Sequence, residues 1–435
     1  MMAHRRRRAL LAGAVLGACL TAAACSSGGS GSSGTASTPS SGATGSTGTA
    51  SAGATSTGTG GKLSLTAEDY YTAEPTHSII GGILNACAAS AGVTITQDSI
   101  ANPQLMPKVL QQLSAHTLPD LLMLDNPFLQ QIAATGALTP LGSDGVDLSG
   151  YYPSIVAAGT YQGKVYGLAP GVNSIALIYN KTMLAAAGIT PPTTWAQLKA
   201  DAAKLTTPAH YGFAMSADND GEGAWTFLPF FWSNGGNLEH LNGPQSVQAL
   251  QFVAGLVKSG SMSQSVVTWA QSDVNEQFMA GKAAMMINGP WQFPLLDAKA
   301  GLKYGVAPIP VPTAGAAAKV PLGGEVWTVP VTTSAREAAA AKVLACMNGS
   351  ANQLAYAKAN GYIPSLESAA KQVAVQSPQL APFVTEVGTA LSRTAEVGTA
   401  YPKIQTAIET ALAAAITGQQ SAQAAMSAAQ TQASQ

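Results

Sequence analysis

Pro119-Asp120-Leu121-Leu122-Met123-Leu124, followed at once by Asp125-Asn126-Pro127, is the stretch that decides the fold. Four consecutive large apolar residues between turn signals have the length of a strand buried on both faces, and such strands belong to sheets covered by helices. The polar pair and the proline then open a helix that runs to Gly136, with Asp125 or Asn126 as its cap and Pro127 in its first turn. Both polar residues therefore stand at the carboxyl end of a strand, where open α/β sheets bind ligands. Each reads equally as a helix cap or as a ligand contact.

The neighbouring segments extend the pattern. Lys62 to Thr66 alternates as a strand does, Ser78 to Ala91 carries Ile79, Ile83, Ala86 and Cys87 at helical spacing, and Val93 to Thr96 is a β-branched run. Strand, helix, strand begins an α/β sheet. Further along, Thr194-Trp195-Ala196-Gln197 has the form of a capping box opening a helix to about Leu205. Val247, Leu250, Ala254 and Val257 mark a second amphipathic helix, and residues 272–280 a third that ends at Gly281. The run Ala283 to Ile287 feeds Asn288-Gly289-Pro290-Trp291, which puts Asn288 and Trp291 at another sheet edge. A last helix spans about Lys403 to Thr417, with Ile404, Ile408, Leu412 and Ile416 every four residues. The Gln/Ala/Ser tail, residues 421–435, is expected to be weakly ordered.

The other end of the chain has a different character. Arg5 to Arg8, an apolar stretch from Ala9 to Ala24 and then Cys25 read as a lipoprotein export signal, residues 1–24, with Cys25 as the lipid attachment site. Leu16-Gly17-Ala18-Cys19 is the competing site. Residues 25–61 are almost wholly Ser, Gly, Thr and Ala, a composition that cannot offset ordering entropy, and so form a tether. Its 36 residues after Cys25 have a root-mean-square reach of roughly 33 Å as a flexible coil. The signal holds four of the 21 basic residues, which leaves 17 against 22 acidic ones, a formal charge of −5, with only Arg336 and Arg393 as arginines. Nucleic acid is excluded as a partner for want of a basic patch. The folded part is long enough for two lobes. Cys87 and Cys346, the cysteines left in an oxidising compartment, are either a disulfide or two buried small residues.

Catalytic machinery is not legible. The five histidines are scattered, and neither a zinc motif nor a serine nucleophile elbow nor a phosphate-cradling glycine loop occurs in the folded part. Asp218-Asn219-Asp220-Gly221-Glu222 resembles part of a calcium loop, but Phe227 stands where the bidentate Glu is needed, so it reads as a solvated acidic turn. No metal and no cofactor is expected, and the chain reads as a binding protein, not an enzyme.

Taken in order, seven short segments resemble the extracellular solute-binding proteins of ABC importers, in particular the sugar-binding group related to maltose-binding protein. They are Pro119–Leu124 with Gly136-Ala137-Leu138-Thr139-Pro140-Leu141, Gly163-Lys164-Val165-Tyr166-Gly167-Leu168, Leu177-Ile178-Tyr179-Asn180-Lys181, Pro191-Pro192-Thr193-Thr194-Trp195, Phe278 to Met285 with Gly289-Pro290-Trp291, Leu322-Gly323-Gly324-Glu325, and Gly361-Tyr362-Ile363-Pro364. The match covers most of residues 62–420. The resemblance implies a two-lobe, Venus-flytrap α/β fold with several crossings between lobes: residues 62–170 plus 320–350 in one, 171–319 plus 351–420 in the other. It also implies a monomer that captures a sugar and delivers it to permease subunits, held at the membrane by its lipid. One departure is the loop Glu68-Asp69-Tyr70-Tyr71-Thr72, where sugar binders often carry Trp-Gly, so ligand contacts are not expected there.

A sugar site needs carboxylate or amide edges for hydroxyls and flat rings for C–H faces. The aromatic candidates are Trp291, Trp225, Trp269 and Trp327; the polar ones are Asp125, Asn126, Glu325, Asn173, Asn288, Tyr362 and Tyr401. With neither arginine in a motif placed at the cleft, the expected ligand is a neutral sugar or oligosaccharide. The alternatives are a charged solute such as a peptide or polyamine, a surface sensor or adhesin, and a glycosidase.

Overall fold

The computed structural model describes residues 62–142 and 147–435. The export signal, the lipidated cysteine and the tether lie outside the described residues. The stretch 121–124 is a fully buried strand, and it sits in the middle of a five-stranded sheet ordered Thr94–Ser99, Ser64–Asp69, Leu121–Asp125, Glu325–Thr328, Gly167–Leu168. The first three strands are parallel, as strand–helix–strand connections require. Glu325–Thr328 returns antiparallel beside Leu121–Asp125, with Glu325 opposite Asp125. That register brings two carboxylates 200 residues apart in sequence to one edge of one sheet.

A second sheet of three antiparallel strands is ordered Tyr304–Ala307, Ala176–Asn180, Met285–Asn288. The chain passes from the first sheet to the second between Leu168 and Ala176 and returns between Ala307 and Glu325. At this waist three segments lie side by side: Gly171–Val172 pairs with Ile363–Pro364, and Asn173 bridges Gly323. The helix Trp195–Leu205 starts with the expected capping box, Thr194 accepting from the Gln197 N–H while the Gln197 side chain accepts from the Thr194 N–H. Among the described residues no helix is long and apolar enough to cross a membrane.

Three expectations need correction. The tail forms the helix Ala422–Ser434, which packs on Pro244–Lys258 and Tyr401–Ile416 and buries Ala425, Met426 and Ala429. Its alanine-rich face is apolar enough to dock although its composition reads as low complexity. The helix Ser350–Asn360, assigned to the second lobe, packs instead on Thr76–Ser90 in the first, where Thr76 Oγ1 donates to the Ala359 carbonyl. Asp125 occupies the N-cap position of Asn126–Ala134 but its side chain makes no capping hydrogen bond; a stronger partner takes it. In the same region Cys87 and Cys346 are joined, with Cα atoms 5.5 Å apart, tying Thr76–Ser90 to Ser334–Met347.

Candidate functional site

A cleft of about 440 Å³ opens beside the waist, lined from the first-sheet side by Tyr70, Asp125, Glu325 and Tyr362 and from the second by Glu222, Trp225, Gln271 and Trp291. Asn173 and Gly323, from the crossing segments, also line it. Gly323 has to be glycine here: a Cβ would stand 2.0 Å from Asn173 Oδ1 and 2.4 Å from the Trp225 ring. Its neighbour Gly324 sits at φ +101°, a backbone state open to glycine.

Glu325 is hydrogen-bonded through both of its carboxylate oxygens. It is only 3% exposed, and its carboxylate accepts from the hydroxyls of Tyr70, Tyr71 (2.8 Å) and Tyr362 (3.1 Å), while Tyr71 also meets the Tyr356 hydroxyl. Burial pushes its pKa up to about 7, the nearby Asp125 adds to the rise, and the tyrosine hydrogen bonds oppose it. The Tyr70-Tyr71 loop is held from behind by the fully buried Asp69, which accepts from the Tyr71 N–H (2.9 Å), Ser99 Oγ (2.6 Å) and Gln97 Nε2 (2.7 Å). The loop discounted for lacking Trp-Gly therefore does face the cleft. The signal was available: it follows a strand at its carboxyl end, as Asp125 does.

Arg393, expected away from the cleft, is a further correction. Its guanidinium binds Asp125 in a two-pronged ion pair (2.6 and 3.1 Å), reaches Asn126 Oδ1 at 3.4 Å and lies over the Trp225 ring, 4.6 Å from its centroid. This pair is what draws Asp125 away from the helix end. The arginine is buried among these partners and lines the cleft. No local pattern around Arg393 announces this, because its partner lies 268 residues earlier.

The predicted site residues divide into two groups. Asp125, Asn173, Trp225, Trp291, Glu325 and Tyr362 line the cleft together. The remaining five do not. Trp327 is fully buried inside the first sheet, since it lies two residues further into its strand than Glu325. Asn126 turns inward and donates to the Leu322 and Gly324 carbonyls. Asn288 is buried behind the cleft, its Nδ2 donating to the Gln271 carbonyl at 2.9 Å. Tyr401 is buried beside Arg393. Trp269, half-buried against the core after a short 3-10 turn, is not among the lining residues.

The acidic turn also differs from its reading as a solvated loop. Asp218 is buried and accepts from the Gly223 N–H at 3.2 Å; Asp220 and Glu222 line the cleft, Glu222 from the first turn of the helix Glu222–Ser233. Glu222 accepts from the Gln271 N–H, and burial, ahead of that opposing bond, pushes its pKa up to about 7.

Two sheets joined by side-by-side crossing segments, with acidic and aromatic groups facing each other across the gap, define a two-lobe α/β ligand-binding protein. The chain belongs to the bacterial extracellular solute-binding protein family, whose model matches residues 82–382. A Brucella abortus chain named only as a binding protein is 29% identical over 241 residues, 53% of this chain and 58% of that one. A maltooligosaccharide ABC transporter solute-binding lipoprotein of Streptococcus pneumoniae is 26% identical over 288 residues, 62% of this chain and 65% of that one. The matched stretch thus spans about three fifths of these relatives' length. Among solved structures, the cyclic alpha-maltosyl-1,6-maltose binding protein of Arthrobacter globiformis superposes with a TM-score of 0.73 at 25% identity, covering 86% of this chain and 98% of that one. Maltose-bound MalE3 of T. maritima gives 0.78 at 22% identity, with 86% and 99% covered, and shares the fold.

Proposed function

We propose that this chain is the solute receptor of an ABC importer, taking a sugar or oligosaccharide into the cleft and passing it to membrane permease subunits. The observation that carries this reading is the pairing of two indole rings, Trp225 and Trp291, with the carboxylates Glu325 and Glu222 in one cleft of about 440 Å³. Rings cover the C–H faces of a sugar while carboxylates, Asn173 and Tyr362 bind its hydroxyl edge. An anionic ligand is disfavoured, because the one arginine in the lining is already committed to Asp125. The names of the pneumococcal and Arthrobacter relatives point the same way.

The chain acts as a monomer of two lobes, the first built from residues 62–170 with 320 to about 360. The segments at the waist are its hinge. Cys25 carries the lipid that holds it on the extracytoplasmic face of the membrane. No bond is broken in the cleft, so the site captures and releases its ligand. Thermal unfolding in the presence of a panel of mono- and oligosaccharides tests the reading, since a ligand that binds only the folded state raises its stability. A panel in which no sugar shifts the transition, while a peptide or polyamine does, would replace it.

A further inference from the structure

The cleft has more carboxyl groups than cations to pair with them. Four carboxylates line it, Asp125, Asp220, Glu222 and Glu325, and among the described residues the lining includes one cation, Arg393, with no lysine or histidine. Arg393 is taken by Asp125 through both of its terminal nitrogens. The surplus gathers at one corner, where carboxylate oxygens of Asp218, Asp220 and Glu222 lie within 4.8 Å of one another. A second, independent observation comes from the same wall, beside Glu222. Gln271, only 7% exposed, lines the same cleft and donates its backbone N–H to Glu222, yet its side-chain Oε1 is buried with no donor. A buried acceptor without a partner is costly, and a ligand that brings donors removes the cost.

We infer that the sugar captured here carries a basic nitrogen, whose ammonium sits between Glu222, Asp220 and Gln271. The inference rests on the sugar reading and narrows it: where the scarcity of arginine alone suggested a neutral ligand, the placement of the carboxylates selects a cationic one. An ammonium offers three N–H donors and a positive charge to a corner made only of acceptors, whereas a hydroxyl offers one donor and no charge. The carboxylates are also arranged for this better than for a metal. Asp218 and Asp220 spend acceptor capacity on the backbone N–H groups of Gly223 and Glu222, and Glu222 on that of Gln271, while a calcium ion asks for six to eight convergent oxygens. Without a ligand, burial and mutual repulsion hold protons on this corner: Asp218 is pushed up to about 8 and Glu222 to about 7. The positive charge of a bound ammonium offsets the repulsion and favours the ionised carboxylates, which releases a proton.

Isothermal titration of the purified protein with a matched pair tests this: the β-1,4 glucosamine trimer with free amines and its N-acetylated counterpart, with maltotriose and cellotriose as neutral probes. The amine trimer should bind at least about tenfold tighter than its acetylated form at low ionic strength, and that margin should shrink with added salt. Its binding heat should vary with the ionisation enthalpy of the buffer, reporting proton release. Glu222→Gln should bring the ratio of the two affinities towards one, a comparison made within a single folded variant. Equal or tighter binding of the acetylated or neutral probes overturns the inference and leaves the sugar reading standing. Failure of every sugar to bind overturns both. A rise in thermal stability on adding calcium chloride without sugar also overturns it and assigns the corner to a metal.

Discussion

Trp291 and Trp327 are both candidates from sequence, with Trp291, after a strand at a Gly-Pro turn, the favoured platform, and the structure gives them opposite jobs. Trp291 lines the cleft; Trp327 is fully buried, about 7 Å deeper along its strand than Glu325 at 3.3–3.4 Å per residue. Trp291→Ala should therefore weaken ligand binding by about 1–3 kcal/mol, as for exposing a large apolar side chain. Trp327→Ala should lower the unfolding free energy by about 3–5 kcal/mol, a core truncation. Calorimetric titration and urea unfolding on both variants check the pair, and the reverse pattern would exchange their roles. Glu325 makes a second prediction, on pH. Its pKa rises from an ordinary 4.5 to about 7 on folding, so the folded state binds the extra proton and the unfolded state does not. The stabilisation is fully present below pH 4.5 and is lost as pH rises through about 7, on the order of 3 kcal/mol for such a shift. Urea midpoints of the ligand-free protein should fall between pH 5 and pH 8, and Glu325→Gln should flatten that slope. A slope unchanged in the variant would transfer it to Glu222 and Asp218, which are raised by burial in the same direction.

Among the elements, the helices Thr76–Ser90 and Ser334–Met347 are the pair whose union depends most on tertiary structure. The Cys87–Cys346 bond closes a loop of 259 residues between them. Asn352, on the adjoining helix Ser350–Asn360, donates to the Cys346 carbonyl at 2.8 Å and leans against both sulfurs. Removing such a bond from an exported protein costs about 2–5 kcal/mol, so Cys346→Ala, or reduction, should lower the thermal midpoint by several degrees. An unchanged midpoint under full reduction would mean the two helices hold together by packing alone. The elements read correctly from sequence were those whose local signals agree: the capping box at Thr194, the buried strand before Asp125, and the four-residue spacing of Ile404, Ile408 and Leu412 on the helix Tyr401–Ile416. Ala422–Ser434 was misread because alanine and glutamine mark no apolar stripe strong enough to see alone. Docking against two other helices decides it.

At the scale of the whole molecule the proposed function requires movement and an anchor. Two lobes joined by the segments at Gly171–Val172, Gly323 and Ile363–Pro364 can hinge there, and a ligand held from both sides favours the closed form by its differential affinity alone. Small-angle scattering should give a smaller radius of gyration at saturating ligand; an identical curve would count against closure. The anchor follows from acyl chains contributing about 0.8 kcal/mol per buried CH₂, which makes several chains stable where one is marginal. Cys25→Ala should release the protein from cells into the medium. Retention by that variant, with release by Cys19→Ala, would place the lipid on Cys19.

By itself the sequence determined the fold class, several of the strands and helices, and six of the residues that line the cleft. Those features depend on periodicity, capping residues and strand ends, which act over a few residues and so leave local marks. Asp125 and Trp291 were visible because each follows a strand, and Glu325 because it follows a glycine pair. What only the tertiary structure decided is how distant residues satisfy one another: Arg393 with Asp125, three tyrosine hydroxyls on Glu325, and Gln271 with Glu222. A buried charge has to find its partner wherever the fold brings one, and the chain's local pattern carries no record of a neighbour hundreds of residues away.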